Sequence, residues 1–296
     1  MIGKNPKGVY IIAMNKKDRI LTIQDYSCLG RCSLTVALPT ISALGVECVG
    51  LPTAVLSNHT AFPSWTYLDL TDEMLPITDK WMEFDHSYSM IYTGYLSNEQ
   101  VPTVLKIIEK LKEDRTLIFV DPAMADRGKL YAGFDQKHVE QMKELIKVAD
   151  IIKPNLTEAC FLTDTPFPGS ELSIPKEFYL EVFEKLAKMG PKKIIISGQQ
   201  PKVGEVADYV YEVGKGLQEY VTPTHPGLYH GTGDLFASAF AALLVKGHSF
   251  FEAVKIAHDY VHEAIGYNVK DQIDGLRYGP EFEKAIPFLL KEAGSK

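Results

Sequence analysis

The chain has 296 residues, 46% of them hydrophobic and 23% charged, with a formal net charge of −7. That length buries a large core, roughly three quarters of the unfolded surface. The acidic balance, with lysines paired only as Lys16 and Lys17 or Lys192 and Lys193, argues against nucleic acid or an anionic membrane as the main partner. Cys28, Cys32, Cys48 and Cys160 form no C-x-x-C pair and read as reduced thiols rather than a disulfide framework. No apolar h-region opens the chain and no apolar run approaches the ~20 residues of a membrane span, so the expected location is the cytoplasm.

Along the chain, short β-branched runs alternate with longer amphipathic ones. Residues 19–24 predict a strand and 33–44 a helix, closed by Gly45 at its C-terminal turn. Strands over 47–51 and 89–93 follow. Residues 98–112 carry Val101, Val104, Leu105, Ile108 and Leu111 at helical spacing. The apolar run 116–120 suits the middle of a parallel sheet. A helix over 136–148, a strand over 150–152, a mainly helical stretch over 173–189 and a buried strand over 193–197 come next. Residues 206–213 and 219–223, separated by Gly214 to Gly216, then read as an antiparallel hairpin. Helices over 233–245, 249–267 and 280–292 close the chain. This order predicts right-handed βαβ units, a mostly parallel sheet with helices on both faces, and a late hairpin extending one edge. With no repeat, low-complexity tract or linker, one domain is expected over 1–296.

In such a sheet, ligands sit outside the carboxyl ends of the strands. Polar residues gather there: Asp25, Gly94 with Tyr95, Asp121, Lys153 to Asn155, and Ser197 with Gly198. The most informative stretch is His230-Gly231-Thr232-Gly233-Asp234-Leu235-Phe236-Ala237. Two glycines flank a hydroxyl residue and a helix opens at once, so unhindered N–H groups can bind an anion. Asp234, in the first turn, is favoured there by the helix dipole alone. It is also placed to act as a general base beside an anion hole for a transferring phosphoryl group.

The same stretch resembles the anion-hole and base motif of the ribokinase-like family. Further blocks resemble its pyridoxal kinase branch: Ile23 to Gly30, Leu56-Ser57-Asn58-His59-Thr60 with Trp65 beyond it, Thr93-Gly94-Tyr95-Leu96, Asp121 to Asp126, and Lys153-Pro154-Asn155-Leu156-Thr157-Glu158. They keep the family's order from Ile23 to Phe240, and Ser57 to Thr60 is the most specific of them. The resemblance implies a three-layer α/β/α sandwich and ATP-dependent phosphorylation of the 5′-hydroxymethyl group of pyridoxal, pyridoxamine or pyridoxine. It implies Asp234 as base, with Gly231, Thr232 and Gly233 as the anion hole. Asp121 and Glu158 would organise Mg²⁺, largely through water. Asp126, Asn155, Ser197 and Thr232 would lie at the nucleotide; Asp25, Thr60 and Tyr95 would line the B6 pocket with Asp234. It also implies a homodimer, and leaves open whether a monovalent cation is needed.

The residues taken by themselves allow plainer readings. Asp121-Pro122 makes a strand-end turn, Asn155 to Glu158 a capping box, and Tyr95 a packed aromatic. Four positions depart from the family pattern. Asp25 stands where serine is usual, and its charge would alter ligand preference. Arg31 and Ser33 occupy a phosphate-side loop in which Ser33 replaces a glycine. Lys153 replaces a small residue and could reach ATP phosphates as a point charge. His258 and His262 at i and i+4 have the spacing of zinc ligands, but with no third ligand apparent they read as packing. Cys28 and Cys32 lie near the substrate loop and read as packing thiols, although a thiolate could attack an aldehyde. Rival functions are hydroxymethylpyrimidine kinase of thiamine synthesis and a non-catalytic B6-binding protein; a sugar kinase fits less well, lacking that branch's lid strands and Gly-Gly motifs.

Overall fold

The period-2 alternation of the strand segments decides the layering. Of the chain, the computed structural model describes residues 2–4, 10–12, 18–84 and 87–294. A short antiparallel ribbon of β1 (Ile2–Lys4) and β2 (Tyr10–Ile12) precedes the body. The body then runs β3 (Arg19–Ser27), α1 (Leu34–Ala43), β4 (Glu47–Leu56), β5 (Tyr67–Asp69), α2 (Thr71–Trp81), β6 (Met90–Thr93), α3 (Gln100–Leu111) and β7 (Leu117–Val120). After the small hairpin β8 (Ala125–Asp126) and β9 (Lys129–Leu130) come α4 (Gln136–Lys147), β10 (Ile151–Ile152), α5 (Leu156–Leu162), α6 (Lys176–Met189) and β11 (Lys193–Gln199). The edge hairpin is β12 (Glu205–Glu212) and β13 (Gly216–Pro223), followed by α7 (Thr232–Val245), α8 (Phe250–Asp271), α9 (Gly275–Tyr278) and α10 (Phe282–Glu292).

The described residues form a nine-stranded sheet in the order β13-β12-β11-β10-β7-β6-β3-β4-β5. The strands from β4 to β11 pair in parallel. Both edges are antiparallel: the expected hairpin on one side and β5 against β4 on the other. Within each central strand, neighbouring residues face opposite cores. Leu21, Ile91, Ile118 and Ile194 join one, with α2 to α6. Ile20, Tyr92, Phe119 and Ile195 join the other, with α1, α7, α8 and α10. Each such buried side chain contributes ~1.5–3 kcal/mol. The three layers match the expected sandwich, and no described helix is long and apolar enough to cross a membrane.

Two departures from expectation bear on the site. β4 runs to Leu56, beyond Pro52, and β3 runs to Ser27; the β3–β4 register shifts between Gln24 and Tyr26. β11 likewise continues through Ser197 and Gly198, with a register shift between Ile196 and Gln199. Asp25 and Ser197 therefore sit at sheet irregularities rather than beyond strand ends. Such irregularities re-aim side chains next to active sites.

Candidate active site

The turn before α7 supplies the frame. Gly231 caps the helix with φ 81°, and the first intrahelical hydrogen bond runs from Leu235 N–H to the Gly231 carbonyl, 3.0 Å. The N–H groups of residues 232–234 precede that first rung and point out of the helix end. No larger residue fits at Gly231: a Cβ there would lie 1.9 Å from the carbonyl oxygen of Arg31. We expect Gly231→Ala to cost at least ~2 kcal/mol in chemical denaturation, because left-handed strain adds to the clash. Gly233→Ala should cost the fold much less, since its Cβ would meet only the Lys153 ammonium, at 3.5 Å.

That contact shows where Lys153 points. Its chain is buried, and Nζ pairs with Asp121 Oδ2 at 2.9 Å. Burial alone would lower the pKa of the ammonium, but the Asp121 carboxylate outweighs it and holds the pKa above the usual lysine value. A permanent positive charge thus stands beside the open N–H groups of α7.

Asp234, in the first turn of α7, is only partly accessible. Its Oδ2 accepts the backbone N–H of Ser33 at 2.8 Å. Burial pushes its carboxyl up to about 7; Asp121 and Asp25 add to that, while the Ser33 N–H and Lys153 oppose it. The group therefore takes up or releases a proton near neutrality, as a general base must. Ser33 continues the chain of contacts: its Oγ donates to Asp25 Oδ1 at 2.6 Å, and Ser27 Oγ donates to Asp25 Oδ2 at 2.8 Å. Tyr95, which stacks on Phe134 with ring centroids 5.5 Å apart, has its hydroxyl pKa raised by burial and then by the charge of Asp25. Thr60 lies exposed on the loop after β4. Beside it His59 is fixed: its Nδ1 accepts from Ala61 N–H, so its Nε2 donates to the Arg277 carbonyl at 2.8 Å.

The capping box at α5 is real. Asn155 Oδ1 accepts from Glu158 N–H at 2.9 Å, and Glu158 Oε2 accepts from Asn155 N–H at 2.8 Å. Asn155 Nδ2 also donates to the Ala125 carbonyl at 2.7 Å, and Glu158 Oε1 accepts from Met124 N–H at 3.0 Å. Both residues brace the strand-end loops. Glu158 is buried, and burial followed by the Asp121 charge raises its carboxyl pKa. Asp126 is exposed on β8, with Arg127 Nε 3.7 Å from its carboxylate.

A cleft of about 270 Å³ adjoins the start of α7, lined by Ser197, Gly198, Thr232, Gly233, Phe236 and His258 among others. His258 is no metal ligand: Nδ1 faces Asp208 Oδ2 at 2.7 Å and Nε2 faces Thr222 Oγ1 at 3.0 Å. No cluster able to hold a metal occurs among the described residues. Asp208 Oδ1 in turn accepts from Gly198 N–H at 2.9 Å. Asp208 and Thr222 had no sequence signal of their own. Cys32 is buried and its thiol pKa is raised by burial, which keeps it unreactive, whereas Cys28 is exposed.

Arg31, one of the departures from the family pattern, is tied up in ion pairs. Nε pairs with Glu283 at 2.9 Å, Nη2 with Glu281 at 3.0 Å, and Nη1 donates to the Tyr278 carbonyl at 3.1 Å. The guanidinium is spent on the end of α9 and the start of α10.

Residues 35–275 match the phosphomethylpyrimidine kinase family. This chain belongs to that family. Among relatives of the phosphomethylpyrimidine kinase family, the pyridoxal kinase of Dictyostelium discoideum is 32% identical over 86% of this chain and 88% of its own. The thiamine biosynthetic bifunctional enzyme of Arabidopsis thaliana is 30% identical over 89% of this chain and 49% of its own. A Bacteroides thetaiotaomicron protein, provisionally assigned as a phosphomethylpyrimidine kinase and crystallised with pyridoxal, superposes with a TM-score of 0.85 at 34% identity, covering 93% of this chain and 96% of that one.

Proposed function

We propose that this protein transfers the γ-phosphoryl group of ATP to the 5′-hydroxymethyl group of a vitamin B6 vitamer. The observation that carries the reaction type is Asp234: a carboxylate tuned to about 7, held by Ser33 N–H, in the first turn of a helix whose N–H groups face a cleft. Asp234 takes the proton from the attacking hydroxyl. The N–H groups of Thr232 and Gly233, with Lys153, hold the charge on the transferring group. Ser197, Asn155 and Asp126 lie on the nucleotide side, with Asn155 acting chiefly by fixing the start of α5. Asp25, whose two oxygens already accept two hydroxyls, offers its remaining lone pairs to a donor on the ring, and Tyr95 and Thr60 complete that pocket. The B6 assignment is supported by the pyridoxal kinase relative and by the Bacteroides protein's pyridoxal.

The carboxylates present fit a Mg²⁺ ion that arrives on nucleotide phosphates. Asp121 is engaged by Lys153, and both oxygens of Glu158 accept backbone N–H groups. Such a pair offers spare lone pairs to metal-bound waters but not a complete cage. When bound, the ion would neutralise phosphate charge. A homodimer is inferred as well; the edge strand β5 leaves Tyr67 and Leu68 half or more exposed, next to Trp65, as a surface suited to a second copy.

The family assignment and the Arabidopsis relative favour hydroxymethylpyrimidine as the rival substrate. ATP turnover should be measured with pyridoxal, pyridoxamine, pyridoxine and hydroxymethylpyrimidine side by side. Turnover of at least one B6 vitamer is expected. Turnover of hydroxymethylpyrimidine alone would overturn the substrate, and tight pyridoxal binding without any turnover would make the protein a binder.

A further inference from the structure

Ser33 combines three features that do not normally occur together. It is a non-glycine residue with φ 48° and ψ −131°, in a region L-residues rarely adopt. It is the N-cap residue of α1, yet its side chain makes no capping hydrogen bond, although serine at that position usually accepts one from the first helical turn. Instead its hydroxyl donates to Asp25 Oδ1 at 2.6 Å while its N–H donates to Asp234 Oδ2 at 2.8 Å. One residue thus gives up its helix cap and tolerates an unfavourable backbone in order to bond two carboxylates at once, Asp25 at the irregularity of β3 and Asp234 in the first turn of α7. The turn is held from outside as well. Arg31 is anchored on Glu281, Glu283 and Tyr278, and its carbonyl packs against Gly231.

We propose that Ser33 is a positioning residue: its backbone N–H fixes the Asp234 carboxylate, and its hydroxyl ties the same turn to Asp25 on the ring-binding side. The two bonds support each other. The Asp25 bond holds the backbone in the left-handed region, and only there does the N–H reach Asp234. The residue therefore couples where the ring binds to where the proton leaves. This inference rests on the kinase reading above.

Ser33→Gly and Ser33→Ala separate the two bonds. Glycine accepts the left-handed backbone without the hydroxyl, so the N–H stays on Asp234 while Asp25 loses a donor. Alanine loses the hydroxyl and, with nothing to hold φ 48°, relaxes and withdraws the N–H. Pyridoxal affinity is read without ATP by absorbance titration, and kcat and KM by ATP turnover. In Ser33→Gly, the Kd and KM for pyridoxal should rise about tenfold, the effect of one hydrogen bond to a charged group. In Ser33→Ala, kcat should also fall by roughly 10², at least tenfold more than in Ser33→Gly. A residue that merely supports the fold would lower both variants together, with no split between KM and kcat. An unchanged Kd in Ser33→Gly overturns the tether to Asp25. Equal losses of kcat in the two variants, or none in Ser33→Ala, overturn the positioning of Asp234. If the wild type turns over no substrate, the kinase reading fails by that result alone, and the Kd comparison still decides the tether. If Ser33→Ala does not fold, Ser33→Gly decides through its Kd and its ratio of KM to kcat.

Discussion

Asp234→Asn is expected to lower kcat by about 10²–10⁴ and, at pH 8, to raise the melting temperature. The two effects share one cause. Burial holds the Asp234 carboxyl at about 7 in the folded protein, whereas an aspartate in the unfolded chain titrates near ~3.9. Between these values the native state binds the proton more tightly, so the wild type loses stability as pH rises from about 4 to 7. Converted in full, the difference is about 4 kcal/mol. Because Asp234 is partly open to solvent, about 2 kcal/mol is the better expectation, or roughly 4 °C in a domain of this size. Asparagine carries no charge and escapes the penalty. Thermal unfolding at pH 4 and pH 8 checks this: the variant should match the wild type at pH 4 and exceed it at pH 8. Equal differences at both values would show that the carboxylate is not held at a cost, and a retained kcat would remove Asp234 from the role of base. For the wild type, kcat/KM should rise with pH through about 7 as the base deprotonates.

Lys153→Met should be the most damaging single change to both stability and nucleotide use. The methionine chain fills similar space, but Asp121 is left as a buried carboxylate without its cation. Breaking a buried pair from one side typically costs ~3–5 kcal/mol. The KM for ATP should rise at least about tenfold, because a charge 3.5 Å from the Cβ position of Gly233 is lost beside the anion hole. Adding Asp121→Asn should return most of the stability and none of the ATP affinity. Urea unfolding of both single variants and the double variant gives the coupling directly. A double variant no more stable than Lys153→Met would mean that the pair is not the reason the lysine is buried.

The central sheet was legible because its strands are short, β-branched and regularly spaced. What stayed hidden had identifiable causes. Pro52 reads as the end of a strand, yet β4 continues past it through a register shift. Pro76 interrupts the helical pattern of α2, which forms regardless. The turn from Gly231 to Asp234, proposed as anion hole and base, was visible as a motif because its residues are consecutive. The anchoring of Arg31 was not legible because its partners, Glu281 and Glu283, are distant in sequence, and a lone arginine in a loop gives no clue to them. Asn155 and Glu158 show a different limit. The plain reading as a capping box and the functional reading as site residues name the same atoms, and the structure displays the first outright.

The stretch from Gly275 to Glu283 touches three separate parts of the site. The Gly275 carbonyl accepts His230 N–H at 3.1 Å, the Arg277 carbonyl accepts from His59 at 2.8 Å, and Tyr278 with the two glutamates grips Arg31. Gly279 leaves the room this requires, since a Cβ there would lie 2.7 Å from the Cβ of Arg31. During synthesis these residues emerge after every other part of the cleft. A nascent chain can therefore assemble the sheet and several of its helices while the loop facing Asp234 lacks its outer brace, so the site becomes competent only once residues 275–283 have docked.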